Sequence, residues 1–152
     1  DAICRKPLWQ EQCNYGHGTG HGVGYFMNVH EGPQVISWHA PVLPQGALKV
    51  GMITSIEPGI YRPGKWGIRI ENLVVNQPVA NPQETEFGQF LHFEPLTLCP
   101  IDTRLMDTAM MTPTEIQWVN AYHALVREKL APRLQGAALA WLEARTQPLA
   151  KG

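Results

Sequence analysis

The chain has 152 residues, 44% of them hydrophobic and 16% charged, with a net charge of −1 and a pI near 6.6. A chain of this length buries about 70% of its unfolded surface as a single domain. Its charge balance supplies no basic field for nucleic acid or an anionic membrane, no apolar run approaches the ~20 residues of a membrane span, and the first residues do not read as a secretory leader.

The opening "DAICRKPLW" reads as the middle of a helix, and the chain as a piece of a longer protein. Cys4, Cys13 and Cys99 are odd in number and unrelated in spacing. That argues against a disulfide framework and a CxxC zinc site, and reduced thiols point to the cytoplasm. From Tyr15 to Gly32 runs "YGHGTGHGVGYFMNVHEG", where five of the nine residues from Gly16 to Gly24 are glycine. Such a stretch holds no stable helix. In an extended segment the even spacing of His17 and His21 places both on one side, and His30 follows in the turn-like "NVHEGP". A lone histidine is most simply a hydrogen-bonded or surface imidazole. Three around one glycine-dense loop point toward ligation or catalysis. His39, His92 and His123 lack such company and are read as structural.

Between Pro33 and Pro100, short apolar runs broken by Pro and Gly predict strands over 51–57, 67–76 and 89–98. In "MITSIEPGIYRPGKWGIRIEN", Glu57 and Glu71 are equidistant from Gly64, so a hairpin turning there sets them opposite one another. Like charges so placed are destabilising, and half-buried carboxylates more so. Period two gives Ile68 and Ile70 one face and Arg69 with Glu71 the other, while Ser55 and Glu57 share the face that meets Glu71. Arg69 can neutralise one carboxylate as a purely structural ion pair. One guanidinium does not readily serve two facing carboxylates, and a cation is the alternative. An imidazole with two carboxylates suits Mn²⁺, Zn²⁺ or Co²⁺, and two carboxylates with few other ligands suit a pair of ions.

From Met111 the texture turns helical. "TPTE" (Thr112 to Glu115) is a capping box with Pro at the first helical position, and Ile116, Val119, Tyr122, Leu125, Val126 and Leu130 follow at helical spacing. A shorter helix over 135–145 places Leu139 and Leu142 on one side, and "TQPLAKG" reads as a frayed tail. Strands followed by helices give an α+β class.

With these residues on the page, "HGTGHGVG", "NVHEGP", "SIEPGIY" and "GIRIEN" resemble, in order and spacing, the pita-bread metallopeptidases of the aminopeptidase P family. The resemblance continues through "FEPLTLCPID", "YHALVRE" and "ALAWLEARTQPL" and so covers essentially the whole chain. Four motifs in register are far more specific than any one alone. The fold implied is the second half of a pita-bread, an antiparallel curved sheet with C-terminal helices: 1–100 the metal-site sheet and loops, 101–152 a helical tail. The N-terminal domains and the first half of the catalytic domain would be absent.

The activity implied is a metal-dependent aminopeptidase that releases the N-terminal residue from peptides with proline second. It would use two divalent ions, manganese first, with zinc or cobalt as alternatives. Carried over by motif, His21 is a metal ligand, Glu57 binds the same ion and assists proton transfer, and Glu71 bridges both ions. His17 and His30 line the substrate pocket, and Arg69 orients the acidic ligands. The family's two further aspartate ligands lie upstream of the histidine loop, where this chain has only Asp1, at a helix position. The chain alone is therefore expected to be inactive, metal-free or singly occupied, and to self-associate, as a homodimer, through an exposed apolar surface. The competing readings are an Xaa-Pro dipeptidase of the same fold and a non-catalytic peptide- or protein-binding module. Retention of His21, Glu57 and Glu71 together argues against the latter.

Overall fold

A computed structural model describes residues 1–152 as two compact units, Asp1–Thr97 and Leu98–Gly152. The first contains helix α1 (Ala2–Gln10) and strands β1 (Gly20–His21), β2 (Val35–Ile36), β3 (Ile53–Ile56), β4 (Gly59–Arg62), β5 (Trp66–Arg69), β6 (Asn72–Pro78) and β7 (Leu91–Pro95). The hairpin centred on Gly64 is present, and one register runs its whole length. Ile53 faces Val75 and Ile56 faces Asn72 at one end; Gly59 faces Arg69 and Arg62 faces Trp66 at the other. Gly64 turns the chain with φ of +73°, a conformation that a side chain would resist.

The strands are shorter than the sequence implies, and the reason is local. The single strand expected over 67–76 is two, β5 and β6, and β3 ends at Ile56. The ladder lapses where Pro58 has no N–H to give it. Glu57 and Glu71 stand at that lapse, at matching positions of the shared register. At the third strand, β7 covers only Leu91–Pro95 of the 89–98 expected.

The glycine-rich segment is extended and lies antiparallel to β3. The Glu57 N–H donates to the Thr19 carbonyl at 2.7 Å, the Val23 N–H donates to Ile53 at 3.1 Å, and Gly22 bridges Thr54. The approach is close enough that a Cβ on Gly20 would collide with the Ser55 carbonyl. On its other edge β1 pairs with β2. The β3–β6–β7 sheet buries Val74 and Asn76, two residues apart on one face.

The second unit holds α2 (Pro113–Leu130) and α3 (Gly136–Arg145). The capping box forms as expected: the Thr112 N–H donates to Glu115 Oε2 at 2.7 Å and the Glu115 N–H to Thr112 Oγ1 at 3.3 Å. Tyr122, Val126 and Leu142 make the buried cluster, with Leu98, Ile101, Leu130 and Leu134 packed on it. Leu125 is only half-buried, and His123 is buried beside Tyr122 instead. The tail is not frayed. Asn120 pairs with Leu149 as a strand neighbour would, its Nδ2 donating to the Leu149 carbonyl at 2.9 Å and its Oδ1 accepting the Leu149 N–H at 2.7 Å. Lys151 Nζ donates to the carbonyl of Ala109 at 3.2 Å and also to that of Met111.

Candidate active site

The extended glycine segment on one side and the interrupted hairpin on the other enclose a cleft of about 370 Å³. His17, His21, His30, Glu57 and Arg69 all line it. The remaining candidate, Glu71, is exposed and lies outside the lining. The expectation of two half-buried carboxylates thus holds for one, since Glu57 is 9% exposed. The lapse in the ladder leaves Glu71 turned to solvent, near enough to Arg69 for its charge to act on the guanidinium. No group of three His, Cys, Asp or Glu side chains is gathered tightly enough to hold an ion.

The central contact is between His21 Nε2 and Glu57 Oε1, 2.9 Å apart. His21 Nδ1 lies 2.9 Å from the Gly22 carbonyl, and since a carbonyl only accepts, Nδ1 carries the proton. In the neutral ring Nε2 is then a lone pair aimed at a carboxylate oxygen. Two acceptors at that separation require a proton or a cation between them. Two ligands each about 2.1 Å from one ion, at right angles, lie about 3 Å apart, so the pair fits adjacent positions on a divalent ion. Ser55 ties the two residues together. Its hydroxyl accepts the His21 backbone N–H at 3.0 Å and donates to Glu57 Oε1 at 3.0 Å.

Arg69 approaches the other oxygen, Glu57 Oε2, at 3.3 Å. Its own side chain is 44% exposed, so this is not the buried ion pair of the purely structural alternative. Arg69 Nε donates to the Tyr61 hydroxyl at 2.8 Å. This bond, followed by the charges of Glu57 and Glu71, raises the guanidinium pKa above its ordinary value. A directed chain continues from there. His17 Nδ1 lies 2.7 Å from the Gly18 carbonyl and so holds the proton, leaving Nε2 to accept from the Tyr61 hydroxyl at 2.8 Å and from Arg69 Nη2 at 3.3 Å. His30 is exposed, with its ring 4.4 Å from that of His21.

Sequence reasoning misses Tyr61, although the pattern carries the signal. The parity that sets Glu57 with Glu71 also puts Tyr61 on their face, diagonal to Arg69, within reach of a long side chain. Glycine opens the space for its ring: a Cβ on Gly67 would lie 2.9 Å from Tyr61 Cδ1, and one on Gly59 would strike the hydroxyl. Period two places Ser55 on this face, but nothing in the sequence marks its double contact.

Comparison with known proteins places this fold among the metallopeptidases. The chain matches metallopeptidase family M24 over residues 1–78 and the C-terminal region of peptidase M24 over residues 89–149. It belongs to metallopeptidase family M24. It is 47% identical to the probable Xaa-Pro aminopeptidase P of Coprinopsis cinerea, over 98% of this chain and 24% of that protein. It is 45% identical to aminopeptidase P2 of Arabidopsis thaliana, over 99% of this chain and 21% of that protein. Among solved structures, the X-prolyl aminopeptidase of Caenorhabditis elegans, described as a cytosolic enzyme with a dinuclear active site, superposes with a TM-score of 0.87 at 38% identity. The match covers 98% of this chain and 24% of that one. The fold is accordingly the α+β pita-bread expected, and the chain spans about a quarter of the length of the relatives it matches.

Proposed function

We propose that this chain is the C-terminal portion of the catalytic domain of a metal-dependent aminopeptidase that releases the N-terminal residue from peptides with proline second. Residues 1–100 would form its metal-site sheet and loops and 101–152 its helical tail. The observation that carries the reading is His21 Nε2 set 2.9 Å from Glu57 Oε1, two ligand atoms of the type such an enzyme needs, with a proton or a cation required between them. His21, Glu57 and Glu71 would hold the ions, two in the intact protein and manganese before zinc or cobalt. When bound, such ions polarise the scissile carbonyl and acidify water.

The chain's own residues supply the rest. Glu57 is held in one orientation by Ser55 on Oε1 and Arg69 on Oε2, so it can take a proton from the attacking water and return it to the leaving nitrogen. His17 and His30 line the cleft where the peptide lies, and the Tyr61–Arg69 pair keeps the His17 ring from turning. Glycines at 18 and 20 let the histidine segment itself pack closely on Ile36, Ser37 and Ser55. The free cysteines and the C. elegans relative described as cytosolic support a cytoplasmic site of action. Self-association would use the apolar groove lined by Leu8, Ile60, Ile68 and Ile70.

In the intact parent, Glu71→Gln should abolish release of the first residue from Xaa-Pro-Xaa peptides while circular dichroism and Tm stay at parental values. Near-normal turnover would remove the bridging role. Assaying Xaa-Pro dipeptides in parallel separates an aminopeptidase from a dipeptidase.

A further inference from the structure

Helix α1 lies outside the cleft, yet it carries a fully buried arginine whose hydrogen bonds run to the histidine segment. Arg5 is 0% exposed. Its Nε donates to Asp1 Oδ2 at 2.9 Å. Its Nη1 donates to Asn14 Oδ1 and to the Tyr15 carbonyl, both at 2.8 Å, and Nη2 donates to the His17 carbonyl at 2.5 Å. One planar group therefore grips the carbonyls on either side of Gly16. The same guanidinium lies 3.9 Å above the Tyr15 ring, whose centroid is 5.0 Å from that of His17. Its partner Asp1 accepts from the Thr19 hydroxyl, and the Thr19 carbonyl receives the Glu57 N–H at 2.7 Å.

A glycine segment has few side chains of its own to fix it, and it loses more conformational freedom on ordering than any other sequence. Buried, the guanidinium must find acceptors for its Nη groups as well as for Nε, and Asp1 takes only Nε. The other three of its four hydrogen bonds all go to residues 14–17, the approach to the cleft.

We propose that Arg5 is a positioning residue for the candidate site. Its guanidinium sets the backbone of Tyr15 and His17 so that His17 Nε2 faces Tyr61 and Arg69, and through Asp1 and Thr19 it aligns the backbone of Glu57. The inference rests on the cleft being the functional site, but its test does not require turnover. Lysine keeps the charge and can still reach Asp1, yet as a single-point donor it cannot span two carbonyls as the arginine fork does.

The experiment compares the 152-residue chain with its Arg5→Lys and Asn14→Ala variants, by NMR of the histidine ring nitrogens and by amide hydrogen exchange. The unaltered chain should show His17 as a single tautomer with the proton on Nδ1. Arg5→Lys should mix the His17 tautomers and speed exchange of the Glu57 amide roughly tenfold, a drop of about 1.4 kcal/mol in the local opening free energy. Protection in the β3–β6 ladder should stay as it was. An unchanged His17 ring and Glu57 amide in folded Arg5→Lys would overturn the proposal. Should Arg5→Lys lose protection everywhere, Asn14→Ala decides, since it removes one anchor of the guanidinium from an exposed position. A smaller selective change at His17 and Glu57 upholds the proposal and no change there refutes it. Selective changes in the chain combined with an inactive parent would reject the peptidase reading and leave the role of Arg5 standing.

Discussion

Single side chains in this protein are committed by which nitrogen or oxygen already has a partner. His17 and His21 each give Nδ1–H to a neighbouring carbonyl, and that fixes Nε2 as the atom offered to the cleft. His123 shows the same logic in a structural setting. Its Nε2 accepts the Ile101 N–H at 3.0 Å, so the proton sits on Nδ1, which has no partner. Burial, aided by the nearby Arg127 charge, lowers its pKa below the ordinary histidine value. The folded state therefore binds fewer protons than the unfolded state, where the pKa is about 6.5. Stability is full above that value and falls as the pH drops below it toward the folded pKa. Urea midpoints measured downward from neutral pH should decline through this window. His123→Gln, having nothing to titrate there, should flatten the slope.

At the scale of elements, caps and turns carry most of what local sequence can decide. Helix α2 begins where its capping box and Pro113 place it, and it runs Pro113–Leu130. Thr112→Ala removes the cap and should lower stability by about 1 kcal/mol, read as a shift of the urea midpoint at constant slope. The hairpin keeps its register about Gly64 because the turn and the alternating pattern agree. It loses continuity at Glu57–Pro58 because Pro58 cannot donate, and that break releases the carboxylates from the ladder.

Across the first unit, period two sends Arg69 into the cleft and Ile68 and Ile70 to the opposite side. There they join Leu8, Pro7 and Ile60 around an apolar groove of about 260 Å³, with Ile68 40% and Ile70 41% exposed. Sedimentation at high concentration should show self-association through this groove, weakened roughly tenfold, or about 1.4 kcal/mol, by Ile68→Lys. A monomer at every concentration would refute it. Metal binding is a second property of the whole chain. Because His21 and Glu57 meet while no third donor joins them, calorimetry with Mn²⁺ should detect at most one weakly held ion per chain. Tight uptake of two would contradict this. No helix is long and apolar enough to cross a membrane.

Much of the site is legible in the sequence. The glycine pattern ruled out a helix around His17 and His21, and the symmetry of Glu57 and Glu71 about Gly64 fixed the hairpin register. Period two put Arg69 on the carboxylate face, and TPTE marked the start of α2. These are properties of neighbouring residues, set by sterics, alternation and capping within a few positions of each other. Other features depend on which distant groups meet. Glu57 is buried and Glu71 is not, His123 rather than Leu125 fills the buried stripe of α2, and Asn120 holds the tail. Tyr61, Ser55 and Arg5 link the cleft residues. A hydrogen bond between Arg5 and the His17 carbonyl joins segments that the local pattern treats as independent. Only the folded chain brings them within bonding distance, and so only the tertiary structure decides which of them act together.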